Sequence, residues 1–71
     1  MEEITIRDEY IKLGQALKLA GLAGAGTDAK FIIAEGLVKV NGETAYERGK
    51  KCRPGDVIEY EGEKVVVRNA H

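Results

Sequence analysis

Lys39, Arg48, Lys50, Lys51 and Arg53 bring five cations into fifteen consecutive residues, against two carboxylates, Glu43 and Glu47. A guanidinium can hold a phosphate through two parallel hydrogen bonds, while an ammonium acts as a mobile point charge. These cations lie around Asn41-Gly42, a strong hairpin-turn pair, rather than in a featureless tail. Charge held on a rigid turn has a geometry that can match a phosphate backbone. Nucleic acid is therefore the first function to consider.

Lys30 adds a cation outside that segment. The pattern predicts a helix over residues 28–35, with Thr27 as N-cap and Asp28 in the first turn. A cation so early in a helix is disfavoured by the helix dipole by about 0.3–1 kcal/mol. An anion bound at the helix start would reverse that penalty, with free N–H groups and the ammonium sharing one phosphate. The plain alternative is a solvated lysine offset by Asp28.

Other chemistries lack their residues. Gly21 to Thr27 carries glycines at loop spacing, but it has no Walker lysine and follows a helix rather than a strand. Cys52 is the only cysteine, which excludes an internal disulfide and reads as a small core group. His71 is the only histidine and the last residue of the sequence, where disorder is expected. Glu2-Glu3 and Glu61/Glu63 fall at a terminus and a turn. No catalytic residue, metal set or cofactor is expected.

The charge distribution is more informative than its sum of −1. Residues 1–9 carry four acidic groups and one basic group, residues 10–53 eight basic and four acidic, and residues 54–71 four acidic and two basic. A basic middle thus lies between acidic ends. Seventy-one residues make one domain, 1–71, with a core over about 4–68. No signal-peptide pattern or membrane-length apolar run is present, and the absence of a disulfide framework favours a reducing compartment. A cytoplasmic monomer that avoids membranes is the expectation.

The elements that must position these groups follow from periodicity and turn chemistry. Ile4-Thr5-Ile6 alternates as a half-buried strand. Leu13, Leu17 and Ala20 share a helix face, closed by Gly21 with Leu22 packing back on Leu17. The second helix buries Ala29, Ile32 and Ile33 and closes on Gly36, with Leu37 packing back on Ile32. Val38 and Val40 form one face of a strand, and Glu43 to Tyr46 returns from the hairpin with Tyr46 half-buried. Pro54-Gly55-Asp56 turns into Val57 to Tyr60, and Glu61-Gly62 turns into Lys64 to Arg68. The fold class is α+β, two short helices packed against a small, mostly antiparallel sheet.

Two short helices, Ala29-Lys30 near the start of the second, Gly36-x-Val38-x-Val40-Asn41-Gly42, a basic loop and Gly55-Asp56-x-Ile58 follow one another in a specific order. That order resembles the S4 RNA-binding domain, and in particular its small stand-alone bacterial proteins of the YaaA/YbcJ type. Leu13-Gly14-Gln15, Leu17 to Ala20, Gly26 to Lys30 and Arg48 to Lys51 are similar to those proteins, and the likeness spans about Ile4 to Val67.

The resemblance implies an S4-like fold (alpha-L motif) whose helices and first hairpin face structured RNA, with ribosomal RNA or ribosomal particles as the partner. It carries Gln15 and Lys18, three apart on the first helix, to that face. The full set of expected RNA contacts is Gln15, Lys18, Thr27, Lys30, Lys39, Asn41, Arg48, Lys50, Lys51 and Arg53. Tyr46 could stack on an unpaired base. Two rival readings are a protein-interaction adaptor docking a partner through its acidic ends or through the valine-rich last strand as a sheet edge, and an accessory RNA-binding subunit of an RNA-modifying enzyme.

Overall fold

The alternation in Ile4-Thr5-Ile6 and Val38-Lys39-Val40 becomes strands that each bury one face. The computed structural model describes residues 1–24 and 29–70. In chain order these form β1 (Glu2–Ile6), β2 (Ile11–Lys12), α1 (Leu13–Leu19), α2 (Ala29–Ala34), β3 (Val38–Val40), β4 (Glu43–Thr44), β5 (Lys51–Cys52), β6 (Val57–Tyr60) and β7 (Glu63–Asn69). Thr27 as a cap, Asp28 in the first turn of α2, and His71 lie outside the described residues.

The main sheet has the order β1-β7-β6-β3-β4, and β2 and β5 form a separate antiparallel pair. β1 runs parallel to β7, while the other neighbours in the main sheet are antiparallel. Ile4 and Ile6, Val38 and Val40, Ile58, Val65 and Val67 supply the sheet side of the core. Leu13, Ala16, Leu17, Ala29, Ile32 and Ile33 supply the helix side. Val66, between Val65 and Val67, is buried but outside that cluster, as alternation across a strand requires.

Both helices end with the same device. The amide of Gly21 donates to the Lys18 carbonyl and that of Leu22 to the Leu17 carbonyl; Gly36 and Leu37 repeat this on Ile33 and Ile32. With φ of 77° at Gly21 and 76° at Gly36, these are two complete Schellman motifs. Leu22 packs against the core, whereas Leu37 remains 51% exposed while its amide bonds the Ile32 carbonyl.

Two further expectations are corrected. The valine-rich β7 is no sheet edge; it is hydrogen-bonded on both sides, to β1 and β6. This removes the edge-docking surface of the adaptor reading, since no unpaired row of N–H and C=O groups remains there. Tyr46 is not a half-buried strand residue either, being 66% exposed. The β4 strand ends at Thr44, Ala45 turns inward with its amide bonded to the Val38 carbonyl, and the chain then leaves the sheet toward α1.

Candidate nucleic-acid interface

The start of α1 fixes the basic loop. Lys12 occupies the N-cap position but makes no side-chain cap hydrogen bond. Instead the Leu13 amide donates to the Lys50 carbonyl at 2.9 Å and the Gly14 amide to the Arg48 carbonyl at 3.0 Å. Two otherwise orphaned helix N–H groups are thereby satisfied by the loop. A Cβ at Gly14 would sit in ordinary contact with the Arg48 Cβ at 3.4 Å, which shows how closely the loop lies on the helix start. The pairing of Lys12 with Lys51 and of Ile11 with Cys52 ties the same loop down from its far end.

The result is an open cleft of about 330 Å³ lined by Lys12, Gly14, Gln15, Lys18, Ala29, Lys30, Arg48 and Gly49. Three separate parts of the chain converge on it: α1, the first turn of α2 and the basic loop. Among the described residues that line it, four are cations and none is a carboxylate. A concave cationic surface concentrates positive potential and raises the local concentration of an anion.

A family model described as the S4 domain matches residues 4–68. The chain belongs to the S4 domain family. It is similar over 59 residues, at 48% identity and covering 83% of both chains, to the "Probable ribosome maturation protein RlbA" of Bacillus subtilis. It is also 40% identical over 60 residues to the "Putative RNA-binding protein YbcJ" of Escherichia coli, covering 82% of this chain and 83% of that one.

Of the residues expected from sequence, this S4 domain gathers Gln15, Lys18, Lys30 and Arg48 in the cleft. Thr27 lies outside the described residues. Lys30 lies in the first turn of α2, where the sequence placed it, and also lines the cleft; the residues just before α2 lie outside the described ones. Lys12 was missed: its place in the sequence suggests only a charge before the helix, and the loop closure that brings Arg48 to the same cleft is a long-range event.

The remaining candidates are distributed elsewhere. Lys39 projects from the sheet face away from the core, between the register partners Thr44 and Glu59. Lys50 lines a different hollow with Glu43, Thr44, Ala45, Tyr46 and Glu47. Lys51 places its Nζ 4.9 Å from the centroid of the Tyr10 ring, within cation–π range.

Asn41 and Arg53 meet at Asp56. Asn41 Nδ2 donates to Asp56 Oδ1 at 3.0 Å, the Arg53 amide donates to Asp56 Oδ2 at 2.8 Å, and the Val57 amide donates to Asn41 Oδ1 at 2.9 Å. Asn41 thus braces the hairpin against the start of β6.

The expected core role of Cys52 holds, as its side chain is fully buried. Burial, with the negative charge of Asp56 adding to it, pushes the thiol up to about 11, so it is a poor nucleophile. Among the described residues no group of His, Cys, Asp or Glu could hold a metal ion. No described helix is long and apolar enough to cross a membrane.

Proposed function

We propose that this S4 domain is a non-enzymatic, cytoplasmic RNA-binding protein that docks on structured ribosomal RNA through the cationic cleft. The carrying observation is the convergence of Lys12, Lys18, Lys30 and Arg48 on one concave surface with Gln15 among them. Phosphates would be held by the four cations, bidentately at Arg48, and Gln15 offers both a donor and an acceptor to a sugar or base edge. Lys50, Lys51, Lys39 and Arg53 would contribute at longer range, Thr27 beside Lys30, and Asn41 by holding the hairpin in place. In this reading the helix pair and the hairpin that follows it act as an alpha-L motif.

The names of the two relatives, one referring to RNA binding and the other to ribosome maturation, support this choice of ligand. Phosphate contacts position a protein but specify little sequence, so selectivity would come from RNA shape and unpaired elements. A low-salt gel-shift titration of structured ribosomal RNA fragments tests the proposal. Lys18→Glu and Arg48→Glu should each weaken binding strongly, while Lys39→Glu, on the opposite sheet face, should weaken it little. Equal binding by all four proteins would rule out the cleft.

A further inference from the structure

Resting on that reading, we infer that Tyr46 is a stacking platform for one unpaired base of the bound RNA, selected by the carboxylates beside it. Tyr46 belongs to the basic loop, two residues before Arg48, yet 66% of it is exposed. A large aromatic ring is not held in that state by burial. It is nevertheless braced: a Cβ on Gly36 would lie 3.2 Å from Tyr46 Cε1 and 3.5 Å from its hydroxyl oxygen, and 3.6 Å from the Thr44 methyl Cγ2. The ring edge therefore rests on the C-terminal turn of α2, where the absent glycine side chain leaves room. An aromatic side chain fixed before binding offers contact area at low entropic cost.

Its position relative to the cleft follows from α2. Tyr46 meets the chain at Gly36, just beyond the end of α2, whereas Arg48 and Gly49 line the cleft with Ala29 and Lys30 at the helix start. The loop thus runs beside a helix only about 9 Å long by its six residues. A single RNA strand holding phosphates in the cleft would reach Tyr46 with a neighbouring base.

The charges around Tyr46 differ from those in the cleft. Its hollow is lined by Glu43, Thr44, Ala45, Glu47 and Lys50, two carboxylates against one ammonium. Such a site repels phosphate but suits a neutral base. Carboxylates accept hydrogen bonds from exocyclic amines, as from cytosine N4. Adenine and cytosine, which have such an amine, are then preferred over uracil. Glu47, an odd residue in a loop built to attract phosphate, acquires a role here.

The test uses the whole chain and four RNA probes: one stem closed by a loop of adenosines, of cytidines or of uridines, and the same stem as a blunt duplex. Tyr46→Ala should weaken binding of the adenosine and cytidine loops about 5- to 140-fold, the range of a lost base–aromatic stack. It should leave duplex binding and the circular dichroism spectrum unchanged, and Tyr46→Phe should bind as the parent does. Glu47→Gln should narrow the gap between cytidine and uridine loops. Arg48→Glu should weaken loops and duplex together.

If Arg48→Glu weakens binding while Tyr46→Ala does not, the stacking inference fails and the cleft stands. If Tyr46→Ala weakens loop binding while Arg48→Glu changes nothing, stacking stands and the cleft fails. Equal affinity of the parent for all three loops overturns the base preference, and binding of none of the four probes overturns both readings.

Discussion

The Gly14 amide donates to the Arg48 carbonyl at 3.0 Å, so the first turn of α1 is capped by the loop that carries the proposed binding charge. Side-chain capping by Ser, Thr, Asp or Asn is the usual solution at a helix start, and Lys12 does not provide it. Fold stability and the shape of the cleft therefore depend on the same bonds. Damage to the loop–helix junction should appear in both stability and binding.

Gly14 tests that junction. A Cβ there would make ordinary contact with Arg48 Cβ at 3.4 Å, so Gly14→Ala should fold normally and gain up to about 1 kcal/mol from helix propensity. Gly14→Leu has no such room and should push Arg48 outward. Its RNA affinity should fall at least about tenfold relative to Gly14→Ala, a difference of about 1.4 kcal/mol. Filter binding alongside urea unfolding of both variants checks this.

The salt dependence of binding counts the phosphates involved. Four cations in the cleft, each neutralising one phosphate of a single strand, give a slope of log K against log salt of about −3. Lys18→Ala should make the slope shallower by about 0.7 and lower affinity for different RNAs alike. Lys51→Ala should change it less, because Lys51 is already placed over Tyr10. Titrations at four or five salt concentrations are sufficient.

Local features of this fold were legible in the sequence, and long-range ones were not. Gly21-Leu22 and Gly36-Leu37 announced two helix ends, and Asn41-Gly42 a hairpin whose φ values are 53° and 84°. The buried positions Ala29, Ile32 and Ile33 followed from helical periodicity. Periodicity is blind to the parallel pairing of β1 with β7, residues about sixty apart in sequence, and to the two-residue strands β2 and β5. The basic segment likewise read as one face. It divides because Lys39 alternates to the far side of β3, Asn41 turns to Asp56, and the loop places Arg48 and Lys50 in different hollows. Lys12 entered the cleft through the closure of that loop.

Asn41 separates bracing from binding. Asn41→Gly keeps the turn's positive φ but loses the bonds to Asp56 and Val57. Two exposed hydrogen bonds at about 0.5–1.5 kcal/mol each predict a loss of about 1–3 kcal/mol. RNA affinity measured where the variant is still folded should change less than threefold. A larger drop would return Asn41 to the contact surface.

The two helix-capping glycines should respond unequally to alanine. Gly21→Ala meets no atom within 4 Å and incurs only the left-handed backbone penalty of about 1–2 kcal/mol. Gly36→Ala incurs the same penalty and also brings its Cβ to 3.2 Å from the Tyr46 ring. Gly36→Ala should therefore be the less stable by urea unfolding. It should also displace Tyr46, lowering affinity for loop-containing RNA, whereas Gly21→Ala should leave binding unchanged.

Cys52 gives the fold an alkaline signature whose sign can be worked out. Its thiol ionises near 9.0 when unfolded and at about 11 when buried. Between those values the unfolded chain has released a proton that the folded chain retains, so rising pH favours unfolding. The contribution is fully present below pH 9, declines as pH rises toward 11, and amounts to at most about 2–3 kcal/mol at 1.36 kcal/mol per pH unit. Tyr60 adds a slope of the same sign above pH 10, since desolvation and then Glu61 raise its hydroxyl. Cys52→Ala removes the thiol but leaves Tyr60, so its unfolding free energy should be flat from pH 8.5 to 9.5 while that of the parent falls. A parent profile as flat as the variant's would mean that the thiol is not buried in solution.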